Sequence, residues 1–302
     1  MSSESDDGRR PDPATEAFVA HRNLLFTVAY EMLGSAVDAE DVLQETWLRW
    51  AGVDLATVRD HRAYLVRITT RQALGRLRTL SRRRESYVGP WLPEPLLTSP
   101  DVAEQVELAD SISMAMMMVL ETLAPTERAV FVLREVFDLG YEEIAEAVDK
   151  TPVAVRQIAH RARVHVAARR PRGTVSPEQA RTAIAAFQRA VETGDLQGLL
   201  DLLAPDVVAL SDGGGIKQAM PRPTVGAEPV ARLLTAGVAL WGPVVTTEPA
   251  QVNGHPALVL RIDGEIDLVV AMRLDEGLIT GIYSVRNPEK LTYMTRETTV
   301  SL

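Results

Sequence analysis

Apolar residues recur at spacings of three and four along the first half of the chain, the period of helices that bury one face. The pattern predicts helical regions over 14–80 and 102–168, the second interrupted near 124–125 and 138–140. Between them lies a proline-rich stretch without periodicity, which predicts a linker. The Met-rich run 112–123 is too short to cross a membrane and predicts a helix that faces the core.

The pattern changes after residue 173. Helical spacing predicts a helix over 177–193 and a shorter one over 196–203. Alternating apolar runs then predict strands over 207–210, 244–249, 257–262, 266–274 and 278–285. Helices followed by antiparallel strands indicate an α+β domain. We therefore predict, in chain order, a disordered tail, an all-α domain, a linker, a second all-α domain and an α+β domain: 1–13, 14–85, 86–110, 111–172 and 173–302.

The composition fits a globular protein, with 302 residues, 46% of them hydrophobic and 24% charged. Cysteine is absent, which excludes disulfides, thiolate zinc sites and cysteine nucleophiles. The amino terminus is polar and acidic, and no run approaches the ~18 apolar residues of a membrane span. We expect a soluble, cytoplasmic protein without a membrane partner, a cofactor or a metal.

The net charge of −9 argues against a nucleic-acid partner, but the distribution of charge argues for one. Nine arginines and one aspartate lie between residues 59 and 84, giving +8. One lysine and six arginines lie between residues 150 and 172 without any acid, giving +7. Six acids and no base separate these segments, from residue 85 to residue 111. Two basic segments in an acidic chain indicate two DNA-binding surfaces.

The second basic segment contains a predicted helix-turn-helix. One helix covers 141–148, a turn follows at 149–150, and Thr151 and Pro152 are suited to the N-cap and first position of the next helix. An inward-facing apolar stripe is predicted at Val155, Ala159, Ala162 and Val166.

The other positions of this second helix are candidates for DNA contact, because arginines there can grip phosphates or read guanine edges. A solvated helix face is the alternative, and a helix-turn-helix alone also fits a conventional repressor. The candidate DNA-binding residues are Thr151, Val153, Arg156, Gln157, His160, Arg161 and Arg163.

An acidic helix is predicted over 38–50, with Asp38 as its cap. Leu43, Trp47 and Trp50 form an inward stripe. The outward-facing residues are Asp41, Gln44, Glu45 and Leu48. Judged by residue types alone, these outward-facing residues form only a polar helix face.

Two long motifs identify the family that the chain resembles. The string DAEDVLQETWLRW resembles the region of sigma factors that binds the clamp helices of RNA polymerase, and 123–163 resembles their fourth domain. The chain is identified as a member of the extracytoplasmic-function sigma factors. This resemblance implies that 14–85 binds core RNA polymerase and melts the minus-10 element, that 111–172 reads the minus-35 element, and that the outward residues of the acidic helix contact polymerase.

The segment 62–78 is similar to the sigma-factor helix that contacts the minus-10 element. A basic helix can track the phosphates of the separated strand. The implied minus-10 residues are Arg62, Arg67, Arg71 and Arg78. Gly75 stands where many relatives carry aspartate.

The last domain resembles the SnoaL-like extension of SigJ-type sigma factors, a cone-shaped α+β fold. Three motifs carry the resemblance: WLPEP in the linker, a DGGG loop, and NPEKL near the carboxyl terminus. The expected lysine after DGGG is Ile216, with Lys217 following, and Glu289 replaces the commoner aspartate. The motifs predict a shared regulatory surface: Trp91, Leu92, Pro93, Glu94, Pro95, Asp212, Gly213, Gly214, Gly215, Asn287, Pro288, Glu289, Lys290 and Leu291.

Alternatives remain for each part. WLPEP fits a stiff spacer, and DGGG and NPEKL fit turns. The last domain also fits a sensor of an unknown small ligand, or an isomerase-like or cyclase-like enzyme with Asp263, Glu265 or Asp267 as a general base. Strand alternation places these three acids on one face, which is more simply a solvated face. A conventional helix-turn-helix regulator is the third alternative.

Overall fold

The computed structural model describes residues 12–84, 86–99, 101–102, 105–169, 175–241 and 245–302. Most of the predicted tail, 1–13, and the boundary near 172 lie outside the described residues. The first helical domain consists of α1 (Pro13–Leu33), α2 (Ala36–Trp50) and α3 (His61–Arg84).

The N-cap of α2 differs from the prediction. Ser35, not Asp38, is the N-cap, because the Ser35 side chain accepts a hydrogen bond from the Asp38 N–H. Gly34, in the left-handed region at φ 67°, ends α1 immediately before it. Asp38 lies in the first turn, and its carboxylate binds Arg76 at 2.6 Å.

Over residues 105–169, the second helical domain contains five helices and one π-helical turn, Val132–Val136. The helices are α4 (Val106–Ile112), α5 (Met114–Leu120), α6 (Pro125–Phe131), α7 (Tyr141–Val148) and α8 (Pro152–Ala167). Helix α4 begins inside the predicted linker, 86–110, so the extended linker is shorter than expected. The α7–turn–α8 unit is the predicted helix-turn-helix, and the Thr151 side chain caps α8.

The last domain is α+β, as predicted. Its elements are α9 (Pro177–Thr193), α10 (Leu196–Leu202), β1 (Leu203–Asp212), β2 (Thr224–Val225), α11 (Ala227–Trp241), β3 (Val245–Val252), β4 (His255–Ile262), β5 (Glu265–Asp275) and β6 (Leu278–Val285). They form one sheet in the order β2-β1-β6-β5-β4-β3.

Two expectations about this domain were wrong. Helix α11 and strand β2 were not predicted, and β1 pairs with β6 in parallel, so the sheet is mixed. Pro229 and Gly237 weaken the local helical signal of α11, whereas burial of Val230 and Ala231 against the sheet stabilises it. The parallel pairing joins segments far apart in sequence, which local patterns do not encode.

The described residues form three clusters of buried apolar side chains. One is continuous through both helical domains and includes Trp50, Leu65 and Ile144. A second lies between α9–α11 and one face of the sheet. The third joins the opposite sheet face to the linker and α5, through Leu92, Met114 and other apolar residues. The linker is therefore buried between the helical domains and the sheet.

Candidate functional site

The outward face of α2 is open in this structure. Gln44, Glu45 and Leu48 are exposed, with Leu48 73% exposed. Asp41 is half-buried, and its carboxylate binds Arg76 at 2.7 Å. Trp50 of the predicted inward stripe is buried completely. Helix α2 thus presents an acidic and apolar patch to solvent.

The amino end of α2 is held by the linker. Oε2 of Glu94, in the WLPEP motif, accepts hydrogen bonds from the N–H groups of Ala36 at 2.7 Å and Val37 at 3.2 Å. Burial raises the pKa of Glu94, while bonds from Ser35 and the two N–H groups oppose that rise. A carboxylate at the positive end of a helix is stabilising, so this residue supports α2 from outside the helix.

Helix α3 carries the four minus-10 candidates on a surface that is partly covered. Arg62, Arg71 and Arg78 are exposed and Arg67 is half-buried. Arg67 and Arg71 both contact Glu146 of α7. The two helical domains therefore pack against each other along α3.

Helix α8 carries the minus-35 candidates, and all seven are exposed. The predicted inward stripe is confirmed, since its four residues are buried. Glu135 binds Arg163 at 2.8 Å and raises the pKa of that guanidinium. Arg156 and Arg161 lie 3.4 Å and 3.6 Å from carboxylates of Glu142 and Glu127. The arginines of this face are exposed, and each is paired with a carboxylate of its own domain.

The three short motifs meet at Asp212, which is completely buried. Oδ1 accepts hydrogen bonds from the Tyr87 hydroxyl at 2.6 Å and the Gly214 N–H at 3.0 Å. Oδ2 accepts from the Leu92 N–H at 2.8 Å and from Nζ of Lys290 at 2.7 Å. Asp212 thus joins the DGGG loop, the linker and the NPEKL segment.

Lys290 connects this site to the helical domains. Its Nζ donates to the Leu92 oxygen at 2.5 Å and lies 4.1 Å from the Trp91 ring centroid. The Arg84 guanidinium also lies over the Trp91 ring, at 3.6 Å, and binds Glu121 of the second helical domain. Burial lowers the pKa of Lys290 to about 8, although Asp212 opposes the shift.

The glycines of the loop leave room for these contacts. A Cβ on Gly214, which has φ 62°, would collide with the Asn287 amide, and one on Gly213 would collide with the Lys217 main chain. The Asn287 Nδ2 donates to the Tyr87 hydroxyl at 2.9 Å.

The regulatory candidates differ in burial. Those that the structure buries are Leu92, Pro93, Glu94, Pro95, Asp212, Gly213, Asn287, Lys290 and Leu291. Trp91 and Gly214 are half-buried, whereas Gly215, Pro288 and Glu289 are exposed. The buried members form the contact between the last domain and the linker.

A second connection was missed from the sequence. Asn253, in the β3–β4 turn, is 1% exposed at φ 54°. Its Nδ2 donates to the Tyr30 hydroxyl at 2.7 Å and the Ile112 oxygen at 2.8 Å, and its Oδ1 accepts from the Leu96 N–H at 2.9 Å. One side chain therefore binds α1, α4 and the linker. The Asn-Gly dipeptide signals a hairpin turn, but not its burial.

The acids suggested for an enzyme do not form a general-base site. Asp263 and Glu265 are exposed, but Asp267 is 7% exposed, which corrects the expected solvated face. Asp267 binds Lys217 at 2.8 Å and Arg286 at 2.5 Å. Burial alone would raise the pKa of Asp267, but these cations lower it overall. It is a paired carboxylate, not an isolated acid in an apolar pocket.

The described residues contain no group of three or more histidine and acidic side chains arranged to hold a metal ion. Within the same part of the chain, no helix is long and apolar enough to span a bilayer.

Comparison with known proteins gives matches over both helical domains. The family model Sigma-70 region 2 matches residues 17–83, and Sigma-70, region 4 matches residues 113–166. ECF RNA polymerase sigma factor SigJ of Mycobacterium tuberculosis is 34% identical over 288 residues, covering 91% of this chain and 92% of SigJ. The chain belongs to the ECF sigma factor family. Sigma factors of this family direct promoter-specific initiation by RNA polymerase.

Similarity to ECF sigma factors extends through the last domain. Probable ECF sigma factor SigI of Mycobacterium tuberculosis is 33% identical over 283 residues, covering 93% of this chain and 95% of SigI. The crystal structure of SigJ matches with a TM-score of 0.76 at 31% identity, covering 92% of this chain and 98% of that one. The sigma factor fold with a SnoaL-like α+β extension is thereby confirmed.

Proposed function

We propose that this sigma factor binds core RNA polymerase through the outward face of α2, the minus-10 element through α3 and the minus-35 element through α8. We further propose that its SnoaL-like domain regulates initiation in cis by fixing the relative position of the two sigma domains. The observation that carries the second proposal is the burial of the linker between the helical domains and the sheet, with Asp212 completely enclosed.

Two separate connections support regulation in cis. Asp212 and Lys290 bind the linker beside Trp91, over which Arg84 of α3 also lies. Asn253 binds both helical domains directly. A buried, hydrogen-bonded charge pair is costly to break by removing one partner. The extension is therefore suited to hold one arrangement rather than to follow the sigma domains passively.

The test of regulation is run-off transcription from a promoter library with core RNA polymerase. Full-length chains carrying Asp212→Asn or Asn253→Ala are compared with Asp201→Asn, a matched control on the surface of α10 that binds only locally, to Gln197. We expect initiation to change severalfold in the first two variants and to stay unchanged in the control. Initiation equal to wild type in all three variants would reject regulation by these contacts.

The polymerase-binding face is tested by Asp41→Lys combined with Glu45→Lys. Charge reversal is expected to abolish co-purification with core RNA polymerase, because like charges at an interface are repulsive. Glu178→Lys combined with Asp201→Lys makes the same change in net charge on the last domain, and co-purification should persist. Retention of polymerase by both double variants would reject the assignment of α2.

A further inference from the structure

The side of α3 that carries Arg67 and Arg71 faces the helix-turn-helix. Nη1 of Arg67 lies 3.0 Å from Oε2 of Glu146, and Nη2 of Arg71 donates to the main-chain oxygen of Glu146 at 2.7 Å. The two arginines are four positions apart, so they share one face of α3. A single residue of α7 therefore supplies oxygen acceptors to both guanidinium groups.

Beside this contact, α3 and the α7–α8 turn enclose a groove of about 430 Å³. Arg71, Arg78 and Lys150 line it, with Asp149 as its acidic residue and three apolar side chains. The groove is net cationic and continuous with the Glu146 contact. The surface that α7 covers is thus one that attracts phosphate.

We infer that Glu146 is an internal substitute for DNA phosphate that covers the Arg67 and Arg71 side of the minus-10 helix in the free sigma factor. This inference rests on the proposed role of α3. Guanidinium groups bind carboxylate and phosphate oxygens in the same way. A DNA strand would therefore compete with the Glu146 carboxylate for Arg67 and with the Glu146 main-chain oxygen for Arg71. The candidate face of α8 is exposed in this arrangement, so the free chain presents that helix to DNA while α7 occupies the Arg67 side of α3.

The ion pair between Glu146 and Arg67 has the low strength expected of a contact that can be released. The Glu146 side chain is 66% exposed and that of Arg67 is 32% exposed, so water and salt screen their attraction. Removing the carboxylate should raise the affinity of the free chain for single-stranded DNA by a factor of about two to five at low salt.

The experiment compares Glu146→Gln with Glu178→Gln, and Glu146→Lys with Glu178→Lys, in the full chain. Glu178 is exposed on α9 of the last domain, away from both DNA-reading helices, and each pair makes the same change in net charge. Binding of a fluorescein-labelled random single strand of about 20 nucleotides, which spans one or more typical binding sites, is followed by anisotropy. Each Glu146 variant should bind more tightly than its Glu178 partner; equal affinities within both pairs would overturn the inference.

A distance measurement gives an independent readout. The chain has no cysteine, so Thr79→Cys on α3 and Val164→Cys on α8, both exposed, place two spin labels. Glu146→Lys should lengthen the distance between the labels, whereas Glu178→Lys should not. An unchanged distance in Glu146→Lys would also overturn the inference.

A separate variant tests the proposed role of α3 in binding the minus-10 element. Arg67→Gln combined with Arg71→Gln should reduce run-off transcription. Normal transcription by that double variant would reject α3 as the minus-10 helix and the inference with it. Reduced transcription together with equal DNA affinities within the Glu146 and Glu178 pairs would reject only the role of Glu146.

Discussion

The two DNA-reading helices, α3 and α8, are both basic, but their surroundings differ. The candidate residues of α8 are all exposed, whereas Arg67 and Arg71 of α3 are engaged by Glu146 from the other sigma domain. Local sequence makes both helices suitable for DNA, and tertiary packing against the other sigma domain occupies part of the basic face of α3 only. The comparison shows that charge predicts what a surface can bind, while packing decides when it can bind.

Polar groups are buried where α1 packs against the second sigma domain. Nε of Arg128, from α6, donates to the main-chain oxygen of Glu31 on α1 at 2.8 Å, and Ser111 donates to Oε1 of Glu31 at 2.8 Å. Among the described residues, no hydrogen-bond partner reaches Oε2 of Glu31. Burial raises the pKa of Glu31 to about 8, while Ser111 and Arg128 oppose the rise.

The largest change is expected from Lys290→Met, which removes the cation beside buried Asp212. An uncompensated buried charge should lower the free energy of unfolding by about 3–5 kcal/mol. Because the linker would lose its support, hydrogen exchange should increase in the linker around Leu92 and at the carboxyl end of α3, where Arg84 lies over Trp91. Lys217→Met is the matched control, since Lys217 is 44% exposed and Asp267 keeps Arg286. Similar unfolding midpoints for both variants would contradict the importance of the Asp212 contact.

The next effect is a pH dependence removed by Glu31→Gln. In the folded chain Glu31 keeps its proton up to about pH 8, whereas in the unfolded chain it ionises near 4.5. Folding therefore takes up a proton between these values, and the contribution of Glu31 to stability falls as pH rises toward 8. We expect the wild type to lose a few kcal/mol of unfolding free energy across this window relative to Glu31→Gln. Urea unfolding at several pH values measures it, and parallel pH profiles would contradict it.

Local patterns predicted the elements better than their contacts. The bounds of α9 and β6 and the buried stripe of α8 follow from periodicity, because each is a property of one continuous segment. The parallel pairing of β1 with β6 and the burial of Asn253 depend on residues distant in sequence. The three motifs were assigned to one surface by resemblance, but their junction at Asp212 and the cover on α3 required the fold.

A smaller effect is expected from Glu94→Gln, which weakens the support of α2 without altering α3 or α8. Loss of a carboxylate cap should cost about 1 kcal/mol. Chemical denaturation of the full chain measures this cost, and hydrogen exchange at the amino end of α2 locates it. Glu107→Gln, at an exposed position in the first turn of α4, is the control. Unchanged protection of α2 in Glu94→Gln would show that Ser35 is a sufficient cap.

The smallest effect tests the two DNA-reading helices directly, in the free chain with duplex DNA. Arg161 on α8 is 66% exposed and lies 3.6 Å from Glu127, a longer contact than the 3.0 Å pair of Arg67 with Glu146. Phosphate can therefore replace Glu127 at Arg161, and Arg161→Gln should reduce the slope of log affinity against log salt by about 0.9. Arg67→Gln should leave the slope unchanged, because Arg67 is already paired with Glu146. In a Glu146→Lys chain, Arg67→Gln should reduce the slope as well, since α3 is then open. Equal slope changes for Arg67→Gln and Arg161→Gln in the otherwise unaltered chain would show that both helices are available before polymerase binds.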